Sequence, residues 1–130
     1  MPTSALLSIR PEFAEAILDG RKTYELRRRL FARDDVERIV LYASSPTQRV
    51  VGEFSVDHIL ALEPCKLWSV TSRGAAVPRE FFDTYFEGRR LGFAVKVGKA
   101  RRYGRPKTLQ ESCGLTRPPQ SFCYLRLRGD

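Results

Sequence analysis

Between residues 20 and 29 the chain reads GRKTYELRRR, in which Lys22, Glu25 and Arg27 place two cations around one carboxylate. A carboxylate flanked by fixed cations stays ionised and is held by charge-assisted hydrogen bonds. Laid out as a strand over about 23 to 30, the stretch puts Glu25, Arg27 and Arg29 on one face and Tyr24, Leu26, Leu30 and Arg28 on the other. The second face is apolar enough for a core. The first presents an acid-base-base row beside Arg21 and Lys22, at a turn where the lysine is expected to be exposed. Such a row either braces a fold or walls a cleft in which Arg and Lys hold phosphates and Glu orients a base, sugar or water. In an enzyme, Lys22 would stabilise developing negative charge, and Glu25 would act as general base on water or on a ribose 2′-hydroxyl.

A second group with the same chemistry lies at Arg101, Arg102 and Tyr103, where an aromatic ring sits among cations. Aromatic rings stack bases and arginines supply salt-dependent phosphate affinity, which suits single strands or nucleotides. Gln120 and Ser121 follow Pro118 and Pro119, so a stiff loop carries an amide and a hydroxyl able to read a base edge, or forms a polar turn before the last strand. Tyr124, two residues before Arg126, is either buried in that strand or open for stacking. No recognition helix for the major groove is apparent.

Other chemistries have little to stand on. His58, the single histidine, lies in VDHILAL and reads as a structural residue. Neither HExxH nor GxSxG nor a Gly-rich phosphate loop occurs. Cys65, Cys113 and Cys123 are odd in number and include no CxxC pair, so reduced thiols are expected and no metal site of Cys or His. No cofactor is implied. Were the protein a nuclease, Mg²⁺ could be held if Glu25 and Glu53 converged.

Composition narrows the partner. The chain of 130 residues has the size of one domain, taken as 1–130, with a net charge of +8 and a pI near 9.9. Of 23 basic residues 18 are Arg, so base composition alone could enrich them; their placement is the better guide. Residues 21 to 33 carry six basic residues against Glu25, and 99 to 128 carry eight against Glu111, whereas 34 to 98 hold eight basic and nine acidic. Two separated basic blocks point to a polyanion such as RNA if they meet in space. No stretch is apolar enough for a secretory core or a membrane span, and a cytoplasmic protein is expected. The sequence does not set the oligomeric state.

The elements that must position these groups form an α+β pattern. ALLSI (5–9) reads as a strand, and Pro11 opens a helix with Phe13/Ile17 and Ala14/Leu18 at four-residue spacing, ended by Gly20. RIVLYA (38–43) and RVVGEFSVDHILAL (49–62) make a hairpin across SSPTQ, with Gly52 marking a bulge. CKLWSV and REFFDTYFEG have helical spacing, and Phe81, Phe82, Tyr85 and Phe86 read as core. Residues 90–104 and 121–128 return to strand. About five to seven strands with two or three short helices make a small mixed β-barrel with helices at its ends the most economical fold.

Gly20, Lys22, Glu25 and Arg27 match the pattern GxKxxExR, and with LLSIRPEFAEAILDGRKTYELRRR, VLYASSP, VVGEF and PPQSF the chain resembles ASCH domains of the PUA-like superfamily over about residues 5 to 127. The resemblance implies a small barrel whose cleft, lined by those residues, binds RNA or another nucleotide-containing ligand, with a role in translation or transcription. Some such proteins are ribonucleases and others hydrolyse the acetyl amide of acetylcytidine. The latter carry threonine at the position of Glu25, so only Lys22 of their pattern is present; Glu53 and Glu87 are the candidates for their further acid. RNA binding through Arg21, Lys22, Glu25, Arg27, Arg29, Arg101, Arg102, Tyr103, Gln120 and Ser121 is the leading expectation. Hydrolysis of RNA or a modified nucleoside is the alternative, and a basic protein-interaction module a third.

Overall fold

The structure, a computed structural model, describes residues 3–125. In chain order the elements are β1 (Thr3–Ile9), α1 (Pro11–Leu18), β2 (Tyr24–Arg27), β3 (Val36–Ala43), β4 (Arg49–Leu62), α2 (Pro64–Thr71), α3 (Arg79–Tyr85), β5 (Gly92–Lys107), α4 (Leu109–Cys113) and β6 (Phe122–Leu125). One mixed sheet runs in the order β2-β5-β4-β3-β1-β6, with β1 parallel to β3 and every other pair antiparallel. β1 is interior and buried on both sides, with Ala5, Leu7 and Ile9 on one and Ser4 and Leu6 on the other.

Alternation along the central strands sorts the core. Ala5, Leu7, Ile9, Ile39, Leu41 and Phe54 face α1 and pack on its Ala14 and Ile17. Leu6, Val40, Tyr42 and Val50 point the other way, towards Leu109 of α4. A third cluster joins α2 and α3 to β2 and β5 through Leu67, Phe82, Phe86, Leu26 and Ala94. α1 begins at Pro11, and the chain leaves it through Gly20 at φ +88°, where a side chain would be strained.

The bulge expected at Gly52 is present: Leu41 pairs with Gly52 but Tyr42 with Val50, so Val51 is skipped. A β-carbon at Gly52 would lie 2.6 Å from the Arg101 carbonyl oxygen and 2.7 Å from a Leu18 methyl. Only glycine lets α1 settle this closely on the sheet.

Three features differ from the sequence reading. The described strands do not close into a barrel: β2 and β6 are the two edges of the sheet, with no ladder between them. β2 stops at Arg27 because Arg28 and Arg29 leave the ladder with β5, so the long two-faced strand is a short one with both Glu25 and Leu26 buried. A fourth helix, α4, stands where none was expected, started by a capping box in which the Thr108 hydroxyl accepts from the Glu111 N–H and the Glu111 carboxylate from the Thr108 N–H. The last strand is described to Leu125, and its expected continuation to Arg128 lies outside the described residues. Among the described residues no helix is long and apolar enough to cross a membrane.

Candidate nucleic-acid-binding cleft

Lys22 is buried, with 2 % of its surface exposed, which corrects the expectation of an open turn lysine. The reason is local. The Lys22 N–H returns to the Ala16 carbonyl at 2.9 Å, while the N–H groups of Thr23 and Tyr24 both donate to the Gly74 carbonyl, at 2.7 and 3.1 Å. These bonds dock the loop after α2 over the turn. Beneath it the Lys22 ammonium donates to the Ala75 carbonyl at 2.5 Å, sits 4.8 Å from the centre of the Phe13 ring and lies 3.9 Å from Glu25 Oε1. Burial pushes the lysine below its ordinary value of 10.5, and Glu25 opposes the shift.

Glu25 links this cation to a second one. Its Oε2 accepts from Arg27 Nη1 at 3.2 Å, and Arg27 Nη2 reaches on to the Ser121 carbonyl and hydroxyl oxygens, both at 2.9 Å. The same Ser121 carbonyl accepts the Ser8 N–H at 2.9 Å, and the Ser8 hydroxyl donates to Pro119 O at 2.6 Å. One guanidinium from edge strand β2 thus fastens the loop that leads into edge strand β6. Lys22, Glu25, Arg27 and Ser121 form a continuous row that both braces the fold and floors a cleft.

The cleft has a volume of about 740 Å³ and an aromatic wall of Phe13, Phe81 and Tyr85. Phe81 and Tyr85 lie nearly parallel, 5.8 Å apart, and Arg10 stacks on both Phe13 and Phe81 at 5.5 Å. A neighbouring hollow of about 520 Å³ is lined by Arg27, Arg28, Arg29 and Arg89 with Ser121 and Gln120. The two share Ser8, Arg27, Arg28, Tyr85 and Gln120. Arg28 stands 4.8 Å over the Tyr85 ring at their junction. One compartment is aromatic, the other cationic.

Of the residues singled out in the sequence, Lys22, Glu25, Arg27, Arg29, Gln120 and Ser121 line one or both hollows. Arg21 lies outside, paired with Asp19 at 2.9 Å. Arg102 pairs with Glu15 of α1. Arg101 and Tyr103 converge on Glu53, at 3.1 and 2.9 Å. Burial and the contact with Glu53 push the Tyr103 phenol upward, so it stays a protonated donor. The two basic blocks therefore do not share the cleft. Glu25 and Glu53 do not converge either, and among the described residues no three His, Cys, Asp or Glu side chains are placed to hold a metal ion. His58 is exposed beside Asp57, at 2.6 Å, and lines neither hollow. Tyr124 is 40 % exposed and accepts the Arg33 N–H at 3.1 Å.

Sequence reasoning missed Arg10, Phe13, Phe81, Tyr85, Arg28 and Arg89. The four-residue spacing in REFFDTYF holds the missing signal: it generates two stripes, and only Phe82 and Phe86 are core.

A mixed sheet ringed by short helices, with a basic and aromatic cleft beside its first helix, defines a protein of the PUA-like fold. The family model of the ASCH domain matches residues 7–100, and the chain belongs to that family. It is 34% identical over 124 residues to an ASCH domain-containing ribonuclease of Zymomonas mobilis, covering 94% of this chain and 84% of that one. The crystal structure of ASCH from Zymomonas mobilis superposes with a TM-score of 0.84 at 35% identity, covering 95% of this chain and 87% of that chain. The large ribosomal subunit protein uL22 of Ureaplasma parvum is 28% identical over 121 residues, 93% of this chain but 39% of that protein, so the chain spans about two fifths of that relative.

Proposed function

We propose that residues 1–130 act as one RNA-binding domain in the cytoplasm, taking a base of a single strand against Phe13, Phe81 and Tyr85 and the adjoining phosphates on Arg28, Arg29 and Arg89. The observation that carries this reading is the junction of an aromatic hollow with an arginine-lined one across Tyr85 and Arg28. Stacking is tolerant of sequence because every base has a π-face, while arginines track the backbone. The buried row beneath keeps the donors of Lys22 and Arg27 in place before any ligand arrives. In this reading the sheet works as a barrel whose open seam between β2 and β6 is bridged by Arg27 on Ser121. A role beside the translation or transcription machinery agrees with a relative named as a ribosomal protein.

The test is binding of a labelled single-stranded RNA followed across ionic strength. Affinity should fall steeply with salt, and Tyr85→Ala should weaken it at every salt concentration. Salt-independent binding, or none at low salt, would remove the reading.

A second reading, RNA cleavage, is favoured by the Zymomonas mobilis relative named a ribonuclease and by a buried lysine, carboxylate and arginine on the cleft floor. In that reaction a ribose 2′-oxygen attacks the adjacent phosphorus and its proton passes to Glu25; the P–O5′ bond breaks to give a 2′,3′-cyclic phosphate, the departing 5′-oxygen takes a proton from solvent, and Lys22 and Arg27 offset the charge that builds on the phosphate. Labelled RNA incubated with and without Mg²⁺ would show the product. Glu25→Gln, assayed where circular dichroism shows it folded, should lower turnover by about two to four orders of magnitude.

A further inference from the structure

The side of the sheet turned away from α1 carries a second arrangement of an acid between two bases, which the cleft does not use. Ser4 and Leu6, Arg38 and Val40, and Glu53 and Arg101 lie in register across β1, β3, β4 and β5, so their side chains project on the α4 side. Glu53 is the organiser. Its Oε1 accepts from Arg101 at 3.1 Å, from the Tyr103 hydroxyl at 2.9 Å and from Arg38 at 3.5 Å, while Arg38 Nε also donates to the Ser4 hydroxyl at 3.2 Å. Arg101 and Lys107 both stand over the Tyr103 ring, 5.1 and 4.8 Å from its centre.

Charge and exposure both point outward. Two cations, Arg38 and Arg101, gather on one carboxylate, Lys107 stands beside them over the Tyr103 ring, and the neighbouring Arg105 is already matched by Glu111 at 3.0 Å. The Glu53 side chain is only 15% exposed, whereas those of Arg38 and Arg101 are 41% and 68% exposed. Among the described residues each guanidinium keeps donors without a protein partner: Nη2 of Arg38, and Nε and Nη1 of Arg101. A shielded carboxylate that fixes two half-exposed guanidiniums contributes little as a surface ion pair, but it orients forks that match a phosphate.

We propose that this face is a second anion-binding surface, which takes backbone phosphates of a single-stranded RNA longer than the cleft can hold. The inference rests on the RNA reading for its ligand but on separate residues for its site. Its selectivity is for the backbone, because Arg101 and Lys107 already stand over the Tyr103 ring, where a base would have to stack.

The test compares oligouridylates of roughly four and roughly twenty nucleotides, spanning the site sizes of single-strand binders, against the full chain and the double variant Arg101→Glu, Lys107→Glu. The variant should bind the long oligomer at least tenfold more weakly and lose roughly 0.7 from the log-log salt slope for each phosphate contact removed, with the short oligomer bound as before. Equal binding of the long oligomer by wild type and double variant, with melting temperatures matched, overturns the proposal. So does displacement of the long oligomer by poly-glutamate at equal charge concentration, which would assign the face to an acidic protein. Failure of the cleft reading is distinguishable: Tyr85→Ala would then leave the short oligomer unaffected while the Arg101 effect on the long one persists.

Discussion

Glu25 and Glu53 are each a carboxylate between two cations, and they differ in almost everything else. Glu25 is 3% exposed, its partners Lys22 and Arg27 are nearly as deeply placed, and the bonds run on into Ala75, Ser121 and Ser8. Glu53 keeps company with guanidiniums that are about half exposed to water. Depth changes what the same chemistry can do. In the cleft the charges cannot be satisfied by solvent if one is removed, so the row is part of the fold and holds its donors rigidly. On the open face each arginine can rehydrate, so the arrangement is replaceable in stability and responsive to salt.

The largest expected difference is in stability. Glu25→Gln leaves two buried cations short of a counter-charge and should cost about 3 to 5 kcal/mol, the usual result of removing one member of a buried pair. Glu53→Gln should cost about 1 kcal/mol or less, as exposed pairs do. Urea unfolding of both variants checks the contrast, and equal losses would erase the distinction between the two sites.

Binding gives the next effect. Tyr85→Ala removes the ring shared by the two hollows and should weaken single-stranded RNA by about 1 to 3 kcal/mol, roughly 5- to 150-fold. Phe82→Ala, three residues earlier in the helix and buried against Leu67 and Trp68, should instead lower the melting temperature. Anisotropy and thermal unfolding of the pair show whether α3 has a ligand side and a core side; if Tyr85→Ala changes only stability, the aromatic wall is core. A smaller effect belongs to Arg29, exposed on the rim of the cationic hollow: Arg29→Ala should reduce the salt slope by roughly 0.7, one phosphate contact, with little change in specificity.

How far these sites could be read beforehand depended on how local their causes are. α1, its glycine exit, the hairpin and the bulge at Gly52 are written in short-range chemistry, in proline and glycine positions and the alternation of apolar residues. The capping box of Thr108 and Glu111 is equally local, a TxxE before a helix. Lys22 was different. Nothing near it in sequence announces burial, which comes from the Gly74–Ala75 loop about fifty residues away. The same holds for the contact of Arg27 with Ser121 and for the separation of the two basic blocks, since strand order decides which faces meet. Alternation placed Glu25 and Arg27 on one face correctly, but could not tell that both faces of so short a strand would be covered.

The finest test of the comparison uses protons. Lys22 is held below its ordinary 10.5 by burial, whereas the unfolded chain keeps the ordinary value. Between the two the unfolded state binds more protons, so this group makes stability rise with pH, starting near its folded value and levelling off above 10.5. The signal is the difference between wild type and Lys22→Met, which keeps the side-chain length without the charge. Wild type should gain on the variant as the pH climbs from neutrality through the alkaline range. A wild-type advantage that shrinks with rising pH would mean that the ammonium is stabilised by Glu25 more than burial opposes it, and that the cleft floor is an ion pair of the same kind as the one on the open face.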